Sequence, residues 1–492
     1  MRYFTMKVLM LNPPYFENYS RQSRSPCVTK SGTIYYPYFL AYATGVLEKH
    51  GFRVELIDAV AKKWSPEETV EFARQLNPNL VVVDTSTPSI FNDVEVASKI
   101  KTAVESAHIC LVGTHPSVLP EETLKISEKI DSVCRGEYDY TVLELAKKIE
   151  SGGDLRTVNG ISFRFGQKII HNKSRPLIQN LDELPFVSKV YKEHLNINDY
   201  FYASLMHPEV TLLTARGCPY NCAFCNSPFK SSYRARSPEN VVEELEFIQK
   251  EMPEVKEIMV EDDTFPVSKE RTIELCNLMV KRGIKLKWSC NTRVNTDFET
   301  LGAMKKAGCR LMCVGFETPV QEVLDGVHKR TNREIQVEFI ENARKAGILV
   351  HGCFILGLPG DTKETISETI EFAKELNPDT IQIYPMMVYP GTEAYEWAKQ
   401  NKFLITEDYS KWLTPEGLHN TVISRPDLTS QELVQICDEG RKSFYLRSGY
   451  ILSKIKQIIT HPSEGKRILK AGKVFFKFLT KKSVPEEFNS EH

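Results

Sequence analysis

The sequence of 492 residues lacks several features that assign a protein quickly to a class. No uninterrupted apolar run approaches the roughly 20 residues that a membrane-spanning helix requires. The formal net charge is −1, so no global excess of positive charge indicates a nucleic-acid partner. The opening stretch MRYFTMKVLMLNPP runs straight into a Pro-Pro pair and does not resemble a secretory signal peptide. We therefore expect a cytoplasmic protein.

The composition is typical of a soluble globular protein with more than one domain. Hydrophobic residues make up 41% of the chain and charged residues 26%. This length exceeds that of one ordinary core, and we expect two or three domains. Of the twelve cysteines, nine are scattered singly, most of them in apolar stretches such as HICLV and LMCVGF. Such cysteines are typical of buried, reduced thiols rather than disulfides.

The N-terminal part of the chain alternates short apolar strands with helical stretches. Within residues 1–150 the five strands are KVLMLN, RVELIDA, LVVVDTS, ICLVG and DSVCRG. This alternation predicts an α/β domain with a doubly wound, Rossmann-like parallel sheet. Residues 151–205 are predicted to be a linker, in which GISFRFGQKIIHN forms a hairpin around Gly166 and Gln167.

A second series of strands and helices fills residues 206–394. Its six predicted strands are Val210–Thr214, EIMVED, KLKWSC, RLMCVGF, LVHGCFILG and TIQIYPMM. Six units predict a partial (β/α)6 barrel rather than a closed eight-stranded one, with its chemistry at the carboxyl ends of the strands. Residues 395–492 predict a helical C-terminal region.

Three cysteines crowd the loop that follows the first of these strands. In TARGCPYNCAFCNSP, Cys218, Cys222 and Cys225 have the spacing C-x3-C-x2-C. Thiolates at such spacing can converge on an iron–sulfur cluster. Zinc sites usually combine paired C-x2-C units or histidines, and no fourth cysteine or histidine is near in this sequence. The loop favours a [4Fe–4S] cluster with one open iron; a zinc site completed from afar and three structural thiols are the alternatives.

With Phe224 directly before the last cysteine, this loop resembles the signature of the radical S-adenosylmethionine (SAM) superfamily. The resemblance implies that Phe224 contacts the cofactor. The six-unit count also matches the partial barrel of that family. The resemblance covers about residues 211–391. It implies that SAM chelates the open iron and that an electron from the cluster cleaves a carbon–sulfur bond, giving a 5′-deoxyadenosyl radical.

The resemblance also implies SAM contacts at the carboxyl ends of four strands. They are Glu261, Asp262 and Asp263 for the amino group, Arg293 for the carboxylate, Asn291 and Glu317 for the ribose, and Gly357 with Leu358 for the adenine. An arginine can bind a carboxylate with two parallel hydrogen bonds, which suits the place of Arg293. The alternative for the acidic residues is a solvated turn.

The position of the N-terminal domain before such a barrel resembles the B12-binding subclass of the superfamily. The matching segments are VDTSTPS, GTHPSVLPEE and CRGEYD. They imply cobalamin contacts at Thr85, Ser86, Thr87, Gly113, His115, Gly136 and Glu137. The D-x-H-x-x-G motif is absent, so we expect cobalamin bound without a cobalt-ligating histidine. His115 as a turn cap, and a B12-type fold that has lost its cofactor, are the alternatives.

The C-terminal sequence combines basic and apolar residues. From Ile451 to Lys482 nine lysines and arginines accompany a single acid, Glu464, among many Ile, Leu and Phe residues. Basic amphipathic helices favour anionic lipid surfaces, so peripheral membrane contact is a hypothesis. A helix packed on the barrel and a nucleic-acid-binding tail are the alternatives. The stretches QIYPMMVYPGTEAYEWA and WLTPEGLHNTVISRPDLTSQEL are similar to B12-type radical SAM enzymes of hopanoid and related lipid biosynthesis, such as bacteriohopanetetrol cyclitol ether synthases.

Together these patterns predict a B12-type radical SAM enzyme that activates a C–H bond for methyl transfer, ring rearrangement or C–C bond formation. The expected substrate is a hydrophobic, lipid-linked or other small molecule, and the expected reductant is a flavodoxin or ferredoxin. A tRNA methylthiotransferase is a rival, but it needs a second three-cysteine set, and the N-terminal domain has only Cys27, Cys110 and Cys134. Nucleic acid is therefore not an expected partner. A non-catalytic cobalamin or iron–sulfur sensor is the other rival.

Overall fold

The computed structural model describes residues 6–460 and Gly465, and these fall into two compact units. The first unit contains residues 6–28, 34–200 and 408–411. The second contains residues 29–33, 201–407 and 412–460, so the chain crosses between the units more than once.

The first unit is built on a seven-stranded sheet with the order β4-β1-β5-β6-β7-β8-β9. The strands of this unit are β1 (Lys7–Asn12), β2 (Tyr19–Ser20), β3 (Cys27–Val28), β4 (Arg53–Asp58), β5 (Leu80–Thr85), β6 (His108–Gly113), β7 (Ser132–Cys134), β8 (Ile161–Phe165) and β9 (Lys168–His171). The five strands from β4 to β7 in this order are parallel, which confirms the predicted doubly wound sheet. β5 is buried along its whole length, as expected for a strand covered on both faces.

Helices lie between the parallel strands along the chain, and two more follow β7 and β9. They are α1 (Tyr38–Lys49), α2 (Pro66–Leu76), α3 (Ile90–Ala103), α4 (Thr114–Val118), α5 (Pro120–Ile126), α6 (Asp139–Ser151) and α7 (Val187–His194). Local sequence explains several boundaries. Ser65 and Glu68 form a capping box at the start of α2, and Gly152 adopts a left-handed conformation at the end of α6.

The predicted hairpin is present as β8 and β9, which pair antiparallel around Gly166. β8 also pairs antiparallel with β7, so the hairpin extends the parallel sheet at one edge. Residues 161–171, expected in a linker, therefore form part of the first unit's sheet. The domain boundaries proposed from the sequence remain a prediction.

The second unit contains six parallel strands in the order β10-β13-β14-β15-β16-β17. Its strands are β10 (Glu209–Leu212), β11 (Ala215–Arg216), β12 (Arg234–Ala235), β13 (Glu257–Val260), β14 (Lys287–Thr292), β15 (Cys309–Glu317), β16 (Leu349–Leu356) and β17 (Thr380–Pro385). Its helices are α8 (Pro238–Glu251), α9 (Lys269–Lys281), α10 (Phe298–Lys306), α11 (Gln321–Gly326), α12 (Arg333–Ala346), α13 (Lys363–Leu376), α14 (Glu393–Gln400), α15 (Ser430–Tyr445) and α16 (Ser448–Thr460). Strictly sequential strands separated by helices confirm the partial (β/α)6 barrel.

The last strand of this barrel, β17, is an edge strand whose backbone groups are covered by α15. The hydroxyl of Tyr445 donates to the Ile381 carbonyl at 2.6 Å and accepts from the Ile381 N–H at 2.8 Å. Arg441 donates to the carbonyl of Ile383. Side chains of α15 thus replace a seventh strand and protect the edge from pairing with another chain.

The C-terminal region is helical as predicted, with α15 and α16 following the barrel. Lys466, Arg467 and the other basic residues up to Lys482 lie outside the described residues. Within residues 6–460 and Gly465, no helix has the length and apolarity needed to cross a membrane.

Candidate functional sites

The cysteine loop begins at a glycine that no other residue could replace without rearrangement. Gly217 has a φ of 84°, and a Cβ there would lie 2.2 Å from the Ser232 carbonyl oxygen and 2.7 Å from that of Phe229. Only glycine combines this backbone conformation with so close an approach. The turn places Cys218 directly after the short ladder of β11 and β12.

Backbone hydrogen bonds hold the three cysteines in one compact loop. The N–H of Cys225 donates to the Cys222 carbonyl at 3.1 Å, and the N–H of Ala223 donates to the Val327 carbonyl at 3.1 Å. Cys222 is buried, whereas Cys218 and Cys225 are half-buried, and none of the three forms a disulfide. The N–H of Ser227 points to Cys225 Sγ at 3.4 Å, as suits a thiolate. Three thiols with this donor chemistry fit an iron–sulfur cluster.

Phe224 is half-buried in the same loop. The SAM contact predicted for it remains a prediction.

Arg293, at the carboxyl end of β14, lies against this loop. Its guanidinium is 3.9 Å from the centre of the Tyr220 ring, and Nη1 is 3.4 Å from Cys222 Sγ. It also donates to the Lys329 carbonyl. A buried cation beside the cysteines fits the carboxylate of a ligand bound at the cluster, which is the role predicted for Arg293.

The acidic turn after β13 is bonded to the strand that leads into the cysteine loop. Asp262 accepts from the N–H and the hydroxyl of Thr214, at 2.7 and 2.6 Å, and from the N–H of Ala215 at 3.1 Å. Burial raises the pKa of Asp262 to about 6, although these hydrogen bonds oppose the shift. Asp263 accepts from the Ser227 hydroxyl at 2.8 Å. The turn is therefore not a solvated one, and the SAM contacts predicted for Asp262 and Asp263 remain predictions.

Glu261 and Asn291 lie beside Asp262. Glu261 is buried, and its N–H donates to the Leu212 carbonyl at 3.0 Å. The Asn291 amide donates to the Asp262 backbone carbonyl at 3.3 Å. The SAM contacts predicted for these two residues remain predictions.

Glu317 forms a buried ion pair that the sequence did not reveal. Its Oε1 is 2.5 Å from Lys329 Nζ, and both side chains are about 95% buried. A Cβ on Gly315 would lie 2.5 Å from Glu317 Oε1 and 2.9 Å from Lys329 Nζ, so this glycine makes room for the pair. Oε2 of Glu317 is buried and has no hydrogen-bond partner within the described part of the chain. An unpaired acceptor here fits a hydroxyl donor such as that of a ribose.

Gly357 and Leu358 follow β16 and share one carboxylate. Their N–H groups both donate to Asp361 Oδ2 at 2.9 Å. Burial raises the pKa of Asp361 to about 6. Gly357 has a φ of 85°, a backbone conformation that favours glycine, and a Cβ there would also lie 2.5 Å from Leu433 Cδ2. The adenine contact predicted for this segment remains a prediction, and Asp361 is a residue that the sequence reasoning missed.

In the first unit, Thr85 and Gly113 close the carboxyl ends of two neighbouring strands. The Thr85 hydroxyl donates to the Val112 carbonyl at 2.7 Å. Gly113 has a φ of 120°, and a Cβ there would lie 2.2 Å from the Thr85 carbonyl oxygen. This edge of a doubly wound sheet is where ligands bind in such folds.

Ser86, Thr87 and His115 form the loops at this edge. Ser86 Oγ is 2.8 Å from the Tyr19 hydroxyl, and Thr87 Oγ1 is 3.3 Å from His115 Nδ1. The His115 ring packs edge-on to Tyr409 at 4.9 Å. Burial lowers the pKa of His115 to about 4, so the ring is neutral. Its Nε2 is shielded and has no hydrogen-bond partner among residues 6–460 and 465.

Gly136 and Glu137 follow the short strand β7. Gly136 has a φ of 70°, and a Cβ there would meet no heavy atom within 4 Å. Its N–H donates to the Ser117 hydroxyl at 3.0 Å. Glu137 Oε2 accepts from the Ile178 N–H at 2.7 Å, so this carboxylate has a structural partner. The open space at Gly136 fits the close approach of a flat ligand.

A buried polar network that the sequence did not reveal supports these loops. Arg21 pairs with Asp93 at 2.5 Å, and both side chains are fully buried. The Ser89 hydroxyl donates to Asp93 at 2.5 Å and is 2.7 Å from Ser86 Oγ. The network thus connects the Arg21–Asp93 ion pair to the loop of Ser86. The pair could not be predicted from the sequence, because Arg21 and Asp93 are far apart in the chain.

Comparisons with known proteins match two successive parts of the chain. The family model described as the radical SAM superfamily matches residues 212–373, and the B12-binding domain model matches residues 24–146. A protein of Pyrococcus horikoshii named as an uncharacterized methyltransferase is 32% identical over 460 residues, which cover 93% of this chain and 95% of the relative.

Two further relatives differ in the reaction that they are named for. The anaerobic magnesium-protoporphyrin IX monomethyl ester cyclase of Cereibacter sphaeroides is 30% identical over 423 residues, covering 84% of this chain and 67% of the relative. The hopanoid C-3 methylase of Methylococcus capsulatus is 26% identical over 376 residues, covering 74% and 68%.

The fold also matches a solved structure, that of the cobalamin-dependent S-adenosylmethionine radical enzyme OxsB with aqua-cobalamin and S-adenosylmethionine bound. The TM-score is 0.70 at 18% identity, over 95% of this chain and 72% of that chain. At this identity the likeness shows the fold alone.

Proposed function

Because the chain belongs to the cobalamin-dependent radical SAM enzymes, we propose that it transfers a methyl group to an unactivated carbon of a largely apolar, lipid-linked or similar small molecule. Its cofactors are a [4Fe–4S] cluster, SAM and cobalamin. When bound, the cluster and SAM supply a 5′-deoxyadenosyl radical that removes hydrogen from carbon, and cobalamin supplies the methyl group.

The observation that carries this proposal is the continuous set of contacts around the cysteine loop. Arg293 touches Cys222 Sγ and the Lys329 carbonyl, and Lys329 Nζ pairs with Glu317. The cation of Arg293 therefore lies beside the thiols, and the unpaired Oε2 of Glu317 lies at the other end of this series of contacts. Cys218, Cys222 and Cys225 would hold the cluster, Arg293 would bind the SAM carboxylate, and Glu317 would accept from the ribose.

The first unit contributes the loops at the carboxyl edge of its parallel sheet. Thr85, Ser86, Thr87 and His115 offer hydroxyls and an uncharged imidazole, and Gly136 leaves space beside the backbone. Such a surface suits a large, flat ligand such as a corrin, held by many weak contacts. We propose that His115 hydrogen-bonds to the periphery of cobalamin and does not ligate cobalt.

The apolar character of the substrate is supported by α16. Its exposed residues Ile451, Leu452, Ile455 and Ile459 recur at helical spacing and form one face. The opposite side is attached to the barrel, because the Tyr450 hydroxyl donates to the Asp379 carbonyl at 2.9 Å. Lys454 is 3.7 Å from the Asp379 carboxylate, so this basic residue is used within the unit. The exposed face supports contact with a lipid surface or a lipid-linked substrate.

The reaction type is supported by the named relatives. The Pyrococcus horikoshii and Methylococcus capsulatus proteins are named as a methyltransferase and a methylase, whereas the Cereibacter sphaeroides protein is named as a cyclase. Methyl transfer is the primary proposal, and ring closure is the second candidate because of the cyclase.

The experiment uses the full chain, reconstituted anaerobically with iron, sulfide and cobalamin. It is incubated with methyl-deuterated SAM, flavodoxin or ferredoxin as reductant, and either a lipid extract or an aqueous extract of the source cells. We expect 5′-deoxyadenosine together with a lipid that gains one labelled methyl group. A product without label would favour ring closure, and labelled products from the aqueous extract alone would exclude the lipid-linked substrate. No 5′-deoxyadenosine in either extract would contradict the enzymatic proposal.

A further inference from the structure

A group of ionisable side chains lies at the carboxyl end of the barrel's last strand and has no part in the sites described above. We call Lys30, His419, Asp438 and Arg441 the cationic cluster. All four belong to the second unit, although Lys30 comes from a short segment near the N-terminus. Tyr384, the penultimate residue of β17, lies beside them, since its ring centre is 5.6 Å from that of His419.

The cluster has more positive than negative groups. Asp438 Oδ1 is 2.7 Å from Lys30 Nζ and also accepts from Arg441, so one carboxylate atom serves two cations. Arg441 further donates to the Ile383 carbonyl. The Asp438 and Arg441 side chains are each 17% exposed and that of Lys30 is 30% exposed. The excess positive charge is therefore mostly withdrawn from water, where it favours a further anion.

His419 adds an unused donor to this group. Both of its ring nitrogens are shielded and have no hydrogen-bond partner within residues 6–460 and 465. A buried imidazole without any partner is rare in proteins, and its neutral form carries one N–H. Burial and the nearby Arg441 and Lys30 lower the pKa of His419 to about 4, which is consistent with a ring among cations.

The same cause acts on Lys30. Burial and the charge of Arg441 lower its pKa to about 7. The charge of Lys442 also lowers the pKa of Lys30. The nearby Cys437 thiol is neutral, because burial raises its pKa to about 12. A second anion beside Lys30 and Arg441 would relieve this repulsion.

We propose that the cationic cluster binds an oxyanion of the substrate, a carboxylate or a phosphate, between Lys30, Arg441 and His419. That this anion belongs to the substrate rests on the function proposed above. The position at the carboxyl end of β17 supports this, because ligands of such barrels bind at that end of the strands. An otherwise apolar substrate would thus be anchored at one charged end.

The test measures anion binding directly and needs no turnover. The reconstituted holoenzyme, saturated with SAM so that Arg293 is occupied, is titrated with inorganic phosphate and separately with acetate by isothermal titration calorimetry. Lys30→Met and His419→Leu are compared with Lys363→Met, which removes an exposed lysine paired with Glu432 in the same unit. We expect at least tenfold weaker anion binding in the first two variants, no change in the third, and recovery in Lys30→Arg.

Preference for phosphate over acetate would identify a phosphate group, and the reverse a carboxylate. If the wild type binds neither anion, or if all variants bind equally, the proposal is overturned. The cluster then has only a structural role, as an ion pair that attaches residues 29–33 to α15. Melting temperatures measured in parallel distinguish a loss of anion binding from a loss of folding. The Lys30→Arg variant keeps a cation that can pair with Asp438. Absence of SAM cleavage would refute the proposed function alone, since anion binding is measured independently of it.

Discussion

The two candidate sites offer a ligand different chemistry. The predicted site of the first unit consists of hydroxyls, glycine backbone and a neutral histidine, and its one carboxylate, that of Glu137, accepts from the Ile178 N–H. The site of the second unit has three thiols and the full charges of Arg293, Lys329 and Glu317. Where a ligand is bound by many weak contacts, each residue contributes little of the binding free energy. Where it is bound by coordinating thiols and buried charges, a few residues contribute most of it. Single substitutions should therefore act strongly in the second unit and weakly in the first.

The largest effect is expected from the cysteines. Cys222→Ala should remove the absorbance of the iron–sulfur cluster and SAM cleavage together, because three protein thiols are needed to hold the cluster. The matched control is Cys276→Ala, which removes another buried thiol, on α9, and should retain both signals. Absorbance spectra of anaerobically reconstituted protein and the yield of 5′-deoxyadenosine provide the measurement. Cleavage that persists in Cys222→Ala would refute the cluster assignment.

The next effect concerns SAM affinity. Arg293→Ala and Glu317→Ala should each weaken SAM binding about tenfold to a hundredfold, since each removes a contact to a charged group worth about 1.5–3 kcal/mol. The cluster absorbance should remain. Arg333→Ala, which disrupts an exposed ion pair with Glu375, is the control. Equilibrium dialysis with labelled SAM tests this, and unchanged affinity in both site variants would show that the strand-by-strand assignment is wrong.

A smaller effect is expected in the first unit. His115→Ala should weaken cobalamin binding less than tenfold and leave its absorbance spectrum unchanged, because the ring is one of many contacts and does not ligate cobalt. Ser117→Ala is the comparison, since its hydroxyl accepts from the Gly136 N–H in the same group of loops. A spectrum that changes its axial-ligand bands in His115→Ala alone would instead identify this histidine as a cobalt ligand.

The smallest effect is expected at the lipid surface. Ile455→Glu with Ile459→Glu should weaken co-sedimentation with anionic liposomes, because the pair lies on the exposed apolar face of α16. Truncation before Tyr450 should weaken it further, since each lost Lys or Arg contributes about 1 kcal/mol near an anionic bilayer. Salt should reduce binding, because exposed charges are screened over a Debye length of about 8–10 Å. Binding that is unaffected by truncation would place the lipid contact elsewhere.

Much of this arrangement was predictable from local sequence. Continuous apolar strands such as LVVVDTS predicted the parallel sheet of the first unit, and six strand-and-helix repeats predicted the partial barrel. Both predictions are confirmed, as is the recognition of a B12-type radical SAM enzyme from the cysteine spacing and the domain order. The individual SAM and cobalamin contacts stay predictions, because a motif names a strand end and does not fix where each side chain points.

Sequence by itself determined the elements of this protein, since apolar periodicity, turn glycines and cysteine spacing all act between near neighbours in the chain. Only the tertiary structure decided which charges meet. Lys329 lies 12 residues from Glu317 and Lys30 lies 408 residues from Asp438, yet both pairs are within 2.7 Å. No local pattern encodes such a pair, because it depends on strand order, on the turns between elements and on the burial that makes an unpaired charge costly.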